Sequence, residues 1–386
     1  MLLPTTLACL IWLYLLLGHG RFWRSGPELP PARPAATPAV GPAVAPAVAI
    51  VVPARDEAPA IAAALHSLLA QDYAGPFRII LVDDGSTDGT GTIARGLVAA
   101  PANAEGPRLT VLAGSPCPAG WSGKLWAVAQ GLAEAGDAEL LLLTDADIEH
   151  QPGHLAALVA QQRRTGCDLV SEMVALRCRS LAERALVPAF VFFFQLLYPF
   201  FWVNDPQRGT AAAAGGTILL HHRALARIGG IAAVRGELID DVALAAAVKR
   251  GGRIWLGHSV LARSVRAYPG FADIWRMVAR TAYVQLRFSP LLLAGTTLAM
   301  ALVWLLPPAA ALFGDGAARW LGLAGWAMLS ASYLPTLRRY RRSLYWAPLL
   351  PLVAAFYMVA TLASAVNHYR GRGVAWKGRA YQGVGG

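Results

Sequence analysis

Short apolar runs alternate with amphipathic stretches from Ala47 to about Leu256. The apolar runs predict strands at Val48–Pro53, Phe77–Asp83, Arg108–Ala113, Glu139–Thr144 and Asp168–Ala175. The amphipathic stretches predict helices at Ala58–Gln71, Thr87–Ala99, Gly123–Ala135 and Pro152–Arg163. Because the strands are apolar throughout rather than at alternate positions, the pattern predicts an α/β fold, a mostly parallel sheet with helices on both faces. Ligands of such sheets bind at the carboxyl ends of the strands.

Beyond Ser289 the chain becomes strongly apolar. Residues 289–367 contain three segments, Pro290–Phe313, Trp320–Leu337 and Leu344–Val366, each long enough to span or re-enter a bilayer. The basic run Arg338–Arg342 and the basic tail 368–386 are both expected on the cytoplasmic side. Three full crossings cannot place both there, so either one segment is re-entrant or the tail lies outside.

The uncharged run Leu2–Gly18 predicts an N-terminal transmembrane anchor at residues 1–20. A cleaved signal peptide is the alternative. The run has no basic segment before it and no clear cleavage site, and Arg21 and Arg24 follow it directly. Positive charge after the apolar run and none before it favours an N-terminus outside and the next domain in the cytoplasm. We expect a multi-pass protein of the cytoplasmic (inner) membrane.

Two further segments interrupt or border the α/β region at 47–288. Residues 21–46 are rich in proline and alanine and predict an extended linker. The aromatic stretch Leu186–Val203 contains Pro188 and Pro199 and predicts an interfacial helix beside the candidate site. A buried core helix is the alternative for that stretch.

Composition supports a membrane protein. Of the 386 residues, 56% are hydrophobic and 15% are charged, whereas soluble domains carry about 25% charged residues. The net charge of +11 comes largely from arginines and lysines beside apolar runs, a distribution that suits anionic lipid better than nucleic acid. The four cysteines lack the spacing of a metal site or a disulfide framework.

Polar motifs follow several predicted strands. Pro53-Ala54-Arg55-Asp56-Glu57 ends the first strand, and Asp83-Asp84-Gly85-Ser86-Thr87-Asp88 ends the second. Each motif alone fits a turn or a helix start. Adjacent carboxylates at the carboxyl end of a strand are nevertheless placed to accept hydrogen bonds from a base or a ribose, so we expect a ligand contact at Asp83 and Asp84.

A pair of carboxylates, Asp145 and Asp147, follows the leucine-rich strand before Thr144. Residues at i and i+2 of an extended chain point to the same side. Two like charges held together favour a hard cation, and Mg²⁺ or Mn²⁺ commonly joins one or two carboxylates to substrate phosphates. The pair therefore predicts a divalent metal site.

Two more motifs carry candidate chemistry. Gly123-Lys124 at a helix start can present backbone N–H groups and an ammonium group to a phosphate, although it is not a Walker loop. Asp240 and Asp241 open another helix, where they either stabilise the helix N-terminus or supply a general base, for which Asp241 is the candidate.

Taken in order, these motifs resemble those of inverting family 2 glycosyltransferases with the GT-A fold. The resemblance covers about Val48 to Gln285 and is carried by the motifs at 53–57, 83–88, 123–124, 145–147 and 240–241. It implies a metal held by Asp145 and Asp147 and a catalytic base at Asp241. It also implies that the nucleotide-sugar is bound by Pro53, Arg55, Glu57, Asp83, Asp84, Lys124 and Asp145.

The subgroup most similar in pattern is the hopanoid-biosynthesis-associated glycosyltransferases, through Gly120-Trp121-Ser122-Gly123-Lys124 and Trp376-Lys377-Gly378-Arg379. This resemblance implies transfer of one sugar from a UDP-sugar to a lipid hydroxyl. Relatives that act on ceramide, carotenoid or polyprenyl-phosphate lipids are alternatives. The Gln-x-x-Arg-Trp motif of processive members is missing, which favours a single transfer. A nucleotidyltransferase and a non-catalytic membrane scaffold are the rival functions.

Overall fold

The computed structural model of the chain describes residues 1–31, 45–98, 108–371, 375–376 and 379–380. One mixed sheet forms the centre of the α/β region, in the strand order β3-β2-β1-β4-β7-β6-β8-β5. Its strands are β1 (Val48–Ala54), β2 (Phe77–Asp83), β3 (Arg108–Ala113), β4 (Leu140–Thr144), β5 (Ile148–His150), β6 (Leu169–Ala175), β7 (Thr217–His221) and β8 (Ile254–Ser264). A separate antiparallel pair joins β9 (Ala375–Trp376) to β10 (Arg379–Ala380).

Fourteen α-helices are described. They are α1 (Leu2–Leu17), α2 (Ala58–Leu69), α3 (Thr90–Val98), α4 (Gly123–Ala133), α5 (His154–Thr165), α6 (Leu181–Leu197), α7 (Phe200–Val203), α8 (His222–Arg227), α9 (Asp240–Lys249), α10 (Phe271–Gln285), α11 (Pro290–Met300), α12 (Leu306–Phe313), α13 (Gly316–Arg339) and α14 (Leu350–Tyr369). Short 3₁₀ turns lie at Ile231–Val234 and Leu344–Trp346, and a π-helical turn at Ala301–Leu305 joins α11 to α12.

The prediction of a mostly parallel sheet holds for only part of it. Strands β3, β2, β1 and β4 are parallel, as the apolar runs predict. However, β7 runs antiparallel to both β4 and β6, and β5 runs antiparallel to β8. The five predicted strands match β1, β2, β3, β4 and β6 to within a residue at each end, but β5, β7 and β8 were not predicted.

Both faces of the central strands are buried, which explains why those strands are apolar throughout. On β4, Leu141 and Leu143 pack into a core beneath α4 and α9. Leu140 and Leu142 point to the other face and pack with side chains of α2 and α5. A strand that is covered on both sides has no position for a solvated side chain until it ends.

A second core joins the N-terminal helix to the C-terminal helices. Trp12 of α1 is fully buried with Phe192, Trp304 and Tyr333. Its Nε1–H donates to the Val303 carbonyl at 2.8 Å. That carbonyl would ordinarily accept from the residue four positions later, which is Pro307 and has no N–H. The run Leu2–Gly18 therefore forms a helix, as predicted, and that helix is part of a packed bundle. Its role as a membrane anchor stays a prediction.

Two predicted segments differ from their expected form. The stretch Leu186–Val203 is not one helix, because α6 begins at Leu181 and the chain breaks at Tyr198–Pro199 before α7. Most side chains of α6 are buried, as the core-helix alternative expects. In the predicted linker, the His258 N–H donates to the Pro27 carbonyl and the Leu29 N–H to the His258 carbonyl, so residues 27–29 pack beside β8. Residues 32–44 of the linker lie outside the described residues.

Among the described helices, two are long and apolar enough to cross a membrane. They are Pro290–Phe313, with 24 residues, and Leu350–Tyr369, with 20 residues. Helix α1, with 16 residues, is apolar but shorter. The predicted segment Trp320–Leu337 lies within α13, which does not pass the same test.

Candidate active site

The polar motifs meet at one edge of the sheet. Strand β1 pairs in parallel with β2 on one side and with β4 on the other, and Ala54 lies opposite Asp83. The carboxyl ends of the three strands therefore lie side by side. As a result, the motifs that follow β1, β2 and β4 are neighbours in space although they are far apart in the chain.

Arg55 and Asp84 cross-link the loops that follow β1 and β2. The Asp84 N–H donates to the Ala54 carbonyl at 2.8 Å. Arg55 Nη1 donates to the Asp84 carbonyl and lies 3.6 Å from its buried carboxylate. The Thr87 N–H donates to Asp56 Oδ1 at 2.8 Å. These contacts hold the loops in place, and direct contact of Arg55 or Asp84 with a nucleoside stays a prediction.

Asp83 is only partly buried and points toward the start of α3. Its Oδ1 accepts a hydrogen bond from the Ser86 N–H at 3.0 Å. A Cβ added at Gly91 would come within 2.0 Å of Asp83 Oδ2, so the carboxylate needs a glycine at that position. The structure thus keeps Asp83 at the sheet edge, where its predicted role in nucleoside binding remains a prediction.

Lys124 links the carboxylates of β4 and α9. The Ser122 hydroxyl accepts from the Leu125 N–H at 3.3 Å and caps α4, which places Lys124 in the first turn. Its Nζ lies 3.0 Å from Asp145 Oδ1 and 3.2 Å from Asp240 Oδ2. Burial alone would lower the pKa of Lys124, but the nearby carboxylates raise it above its usual value, so the ammonium form persists.

Asp145 and Asp147 lie in the turn between β4 and β5, where the Ile148 N–H donates to the Asp145 carbonyl at 3.3 Å, and not on the extended chain expected from the sequence. Burial raises the pKa of Asp145, and the Asp147 carboxylate raises it further against the opposing effect of Lys124. No group of three or more metal-binding side chains was found in the described part of the chain. Two carboxylates are nonetheless enough for Mg²⁺ or Mn²⁺ when substrate phosphates complete the coordination. Asp145 and Asp147 are the residues that would hold it.

Arg266 is a site residue that the sequence did not reveal. Its Nε lies 3.1 Å from Asp147 Oδ2, and its Nη2 lies 2.6 Å from Glu57 Oε1. Ser264 Oγ donates to the same Asp147 oxygen at 2.7 Å. Both residues lie at the end of β8, and because that strand was not predicted, nothing indicated where they would lie. Glu57, expected at the nucleoside, is thereby joined to the carboxylate pair.

Asp241 has the surroundings of a general base. Its Oδ2 accepts from the Gly215 N–H at 2.8 Å, and its Oδ1 accepts from the Val242 N–H at 2.8 Å. Burial, and next the Asp240 carboxylate, raise the pKa of Asp241 to about 7 despite the opposing charge of Lys124. A base with a pKa near the working pH combines a useful deprotonated fraction with proton affinity.

One cleft contains Lys124, Asp145, Asp240 and Asp241, whereas Arg55, Glu57, Asp83, Asp84 and Asp147 are not among its lining residues. A Cβ at Gly215 would lie 3.3 Å from both Asp241 Oδ2 and Lys124 Nζ, so the backbone approaches the charged groups closely. Apolar side chains of α4, α9 and β7 form the cleft walls. The lining consists of Pro53, Lys124, Leu125, Val128, Leu143, Thr144, Asp145, Gly215, Ile218, Ile231, Asp240, Asp241 and Leu244. Of the predicted site residues, the cleft includes Pro53, Lys124, Asp145 and Asp241.

The pKa of Asp241 predicts a pH profile. Only the carboxylate form of Asp241 can accept a proton. The rate of the sugar transfer that the sequence resemblance implies is therefore expected to rise with pH and to level off above about 7. Lys124→Met removes the charge that lowers the pKa of Asp241, so the rising limb should move to higher pH. The measurement is kcat/KM against pH for both proteins. An unshifted limb in Lys124→Met would contradict this electrostatic coupling.

Comparisons with known proteins define the class of this chain as a glycosyltransferase. The model of Glycosyl transferase family 21 matches residues 5–384, and the chain belongs to this family. The resemblance to family 2 thus named the right class of enzyme but another family, and the comparisons do not show a hopanoid specificity. No curated protein matches the chain.

Solved structures support the fold. The mannosyltransferase PcManGT from Pyrobaculum calidifontis, in complex with GDP-Man and Mn²⁺, is 20% identical, with a TM-score of 0.52 over 95% of this chain and 99% of that chain. S. aureus TarS 1-349, in complex with UDP-GlcNAc, is 16% identical, with a TM-score of 0.41 over 84% of this chain and 92% of that chain. At this level of identity, the likeness to PcManGT shows a shared fold.

Proposed function

We propose that this family 21 member transfers one sugar from a nucleotide-diphospho-sugar, a UDP-sugar, to the hydroxyl of a membrane lipid and inverts the anomeric centre. The observation that carries the proposal is the contact of Lys124 with both Asp145 and Asp240 in one cleft. This contact supports a diphosphate site next to Asp241, a carboxylate suited to deprotonate an acceptor.

The donor side of the cleft is built to take a diphosphate. A divalent metal bound by Asp145 and Asp147 would offset the charge that develops on the departing diphosphate. Lys124 supplies a permanent positive charge at the N-terminus of α4, where backbone N–H groups also favour an anion. Arg266 adds a second positive charge, a guanidinium group beside Asp147. The Asp83 carboxylate is proposed to accept a hydrogen bond from the nucleoside.

The acceptor side supplies the base. Asp241 takes the proton of the acceptor hydroxyl while that oxygen forms a bond to the anomeric carbon. The bond from the anomeric carbon to the phosphate oxygen breaks at the same time, and the nucleoside diphosphate leaves with the electron pair. Because attack comes from the face opposite the leaving group, the configuration inverts. The hydrogen bonds from Gly215 and Val242 fix the direction of the Asp241 carboxylate.

A lipid acceptor is supported by the apolar surface of the helical region. Helix α1 packs against α13, and α12 packs against the same helix, so their outer faces are neighbours. Large side chains there are mostly exposed, including Leu3 at 84%, Leu17 at 82%, Phe313 at 79% and Trp320 at 72%. Contiguous apolar surface of this kind marks a membrane or protein contact. We assign it to the bilayer because two candidate spanning helices belong to the same region.

We propose that the acceptor reaches the base past the ends of α6 and α10. Gln285 Nε2 donates to the Tyr198 hydroxyl at 2.6 Å, which joins the two helix ends. Burial raises the pKa of Tyr198, and the charge of Asp241 raises it further, so the tyrosine lies within electrostatic reach of the base. We propose that the acceptor enters here from the cytoplasmic side of the inner membrane, with the catalytic domain in the cytoplasm.

The test is a panel of UDP-sugars, with GDP-Man included, incubated with the purified protein, Mn²⁺ and total membrane lipid. Mass spectrometry should find one new lipid carrying a single added sugar for one donor. The acceptor's mass separates a hopanoid-related product from ceramide, carotenoid and polyprenyl-phosphate products. Release of pyrophosphate would indicate a nucleotidyltransferase, and consumption of no donor would support the non-catalytic scaffold.

A further inference from the structure

A chain of four buried polar side chains lies directly behind the carboxylate pair. Thr144 ends β4, His150 ends β5, His154 begins α5 and Glu172 lies in β6. His154 and Glu172 are 0% exposed. The distances are 3.2 Å from Thr144 Oγ1 to His150 Nε2, 2.8 Å between the two Nδ1 atoms of the histidines, and 2.5 Å from His154 Nε2 to Glu172 Oε1. We call these four residues the buried relay.

Counting protons fixes the direction of the hydrogen bonds. Thr144 Oγ1 lies 2.8 Å from the Gly216 carbonyl, which can only accept, so the Thr144 hydroxyl donates to it. The same oxygen must then accept from His150, whose proton is on Nε2. Burial, and next His154, hold the pKa of His150 well below its usual value, so its ring is neutral and Nδ1 accepts. His154 therefore donates from Nδ1, and its Nε2 shares a proton with Glu172.

The relay ends at both halves of the candidate active site. Thr144 directly precedes Asp145 in the chain, and Thr144 holds the Gly216 carbonyl. Gly216 directly follows Gly215, whose N–H binds Asp241. The Thr144 hydroxyl therefore links the strand end that carries Asp145 to the segment that positions Asp241.

We propose that the buried relay is a positioning device, in which Glu172 and His154 orient His150 so that Thr144 keeps Asp145 and Gly215–Gly216 in register. The relay residues His154 and Glu172 act through Thr144, because they are fully buried and cannot touch a substrate. Apolar side chains would serve packing alone at these positions, because a buried polar group that loses its hydrogen-bond partner costs desolvation free energy. The kinetic part of this inference rests on the proposed function.

The kinetic test uses one pair of variants at Thr144 and another deeper in the relay. Thr144→Val keeps the shape but loses the hydroxyl, and His154→Phe breaks the relay far from any substrate. Both are expected to lower kcat about 10- to 100-fold with little change in the donor KM, because small displacements of reacting groups cost that much. Thr144→Ser keeps the hydroxyl and should restore kcat to within about threefold. Glu172→Gln should behave likewise, since its amide can donate to His154 Nε2.

His258→Phe is the matched control. His258 is also buried, and its Nε2 lies 3.3 Å from the Gln195 amide oxygen, so its side chain hydrogen-bonds Gln195 rather than a relay residue. It should lower Tm as much as His154→Phe does and leave kcat unchanged. Wild-type kcat in Thr144→Val and His154→Phe, or losses that merely follow Tm in all variants, would overturn the positioning role.

A second measurement does not depend on activity. NMR of the protein with ¹⁵N-labelled histidine should show His150 neutral, with its proton on Nε2, and His154 with a proton on Nδ1. The signals are assigned with variants in which one histidine at a time is replaced. A proton on His150 Nδ1 in the wild-type protein would overturn the relay. If no donor is consumed in the panel above, the proposed function fails, and this measurement still decides the relay.

Discussion

Asp241→Asn is expected to lower the rate of sugar transfer by about 10³-fold, because positioned general bases contribute roughly 10²- to 10⁴-fold. An amide cannot take the acceptor proton, although its oxygen can still accept one of the two backbone hydrogen bonds. Binding of UDP with Mn²⁺ should change little, since the proposed diphosphate site lies at the end of β4 and the start of α4. The measurements are the initial transfer rate and a UDP titration for each protein.

Measuring the stability of Asp241→Asn distinguishes a catalytic defect from a folding defect. Asp241 has a pKa of about 7 in the folded protein, well above the roughly 3.9 of an unfolded chain. Ionisation of Asp241 therefore lowers the stability of the folded protein as pH rises from about 4 to 7, and Asp241→Asn should lack this contribution. Glu237→Gln, an exposed acid near the same helix, is the charge-matched control. Undiminished transfer in Asp241→Asn would remove this residue from the mechanism.

Asp145→Asn and Asp147→Asn should each weaken Mn²⁺ binding and lower kcat/KM at least about 10²-fold, because a bound metal supplies several kcal/mol of charge stabilisation. Asp147→Asn should also remove the negative charge from one of the two carboxylates that pair with Arg266, leaving Glu57. Electron paramagnetic resonance of free Mn²⁺, titrated in the presence of UDP, gives the affinity without sugar transfer, and Glu237→Gln serves again as the control. Wild-type turnover in chelator-treated protein would contradict a role for a metal.

The sequence located the parts of the site that follow apolar strands. Strand β4 contains four consecutive leucines because both of its faces are covered. The first charged residue after them, Asp145, therefore marks the point where the chain reaches the edge of the sheet. Parallel pairing of β1 with β2 and β4 then brings the motifs together without further information. This is why Asp83, Asp145 and their neighbours could be predicted.

Arg266 and the buried relay could not be found in this way. Arg266 meets Asp147 only because β8 runs beside β6, and Glu172 meets His154 only because β6 lies beside α5. Such pairings depend on strand order, and β7 is inserted antiparallel between β4 and β6 with no local signal that predicts it. In the same way, the apolar pattern predicted α1 as a helix but did not predict that Trp12 would pack against α13.

The most direct test of the central claim is the stereochemistry of the product. The glycolipid made from an α-linked UDP-sugar is isolated, and the coupling constant of its anomeric proton is measured by NMR, together with the UDP released. One UDP for each transferred sugar and a β-linked product are the predicted result, since Asp241 activates a hydroxyl that attacks once from the opposite face. An α-linked product would contradict the account.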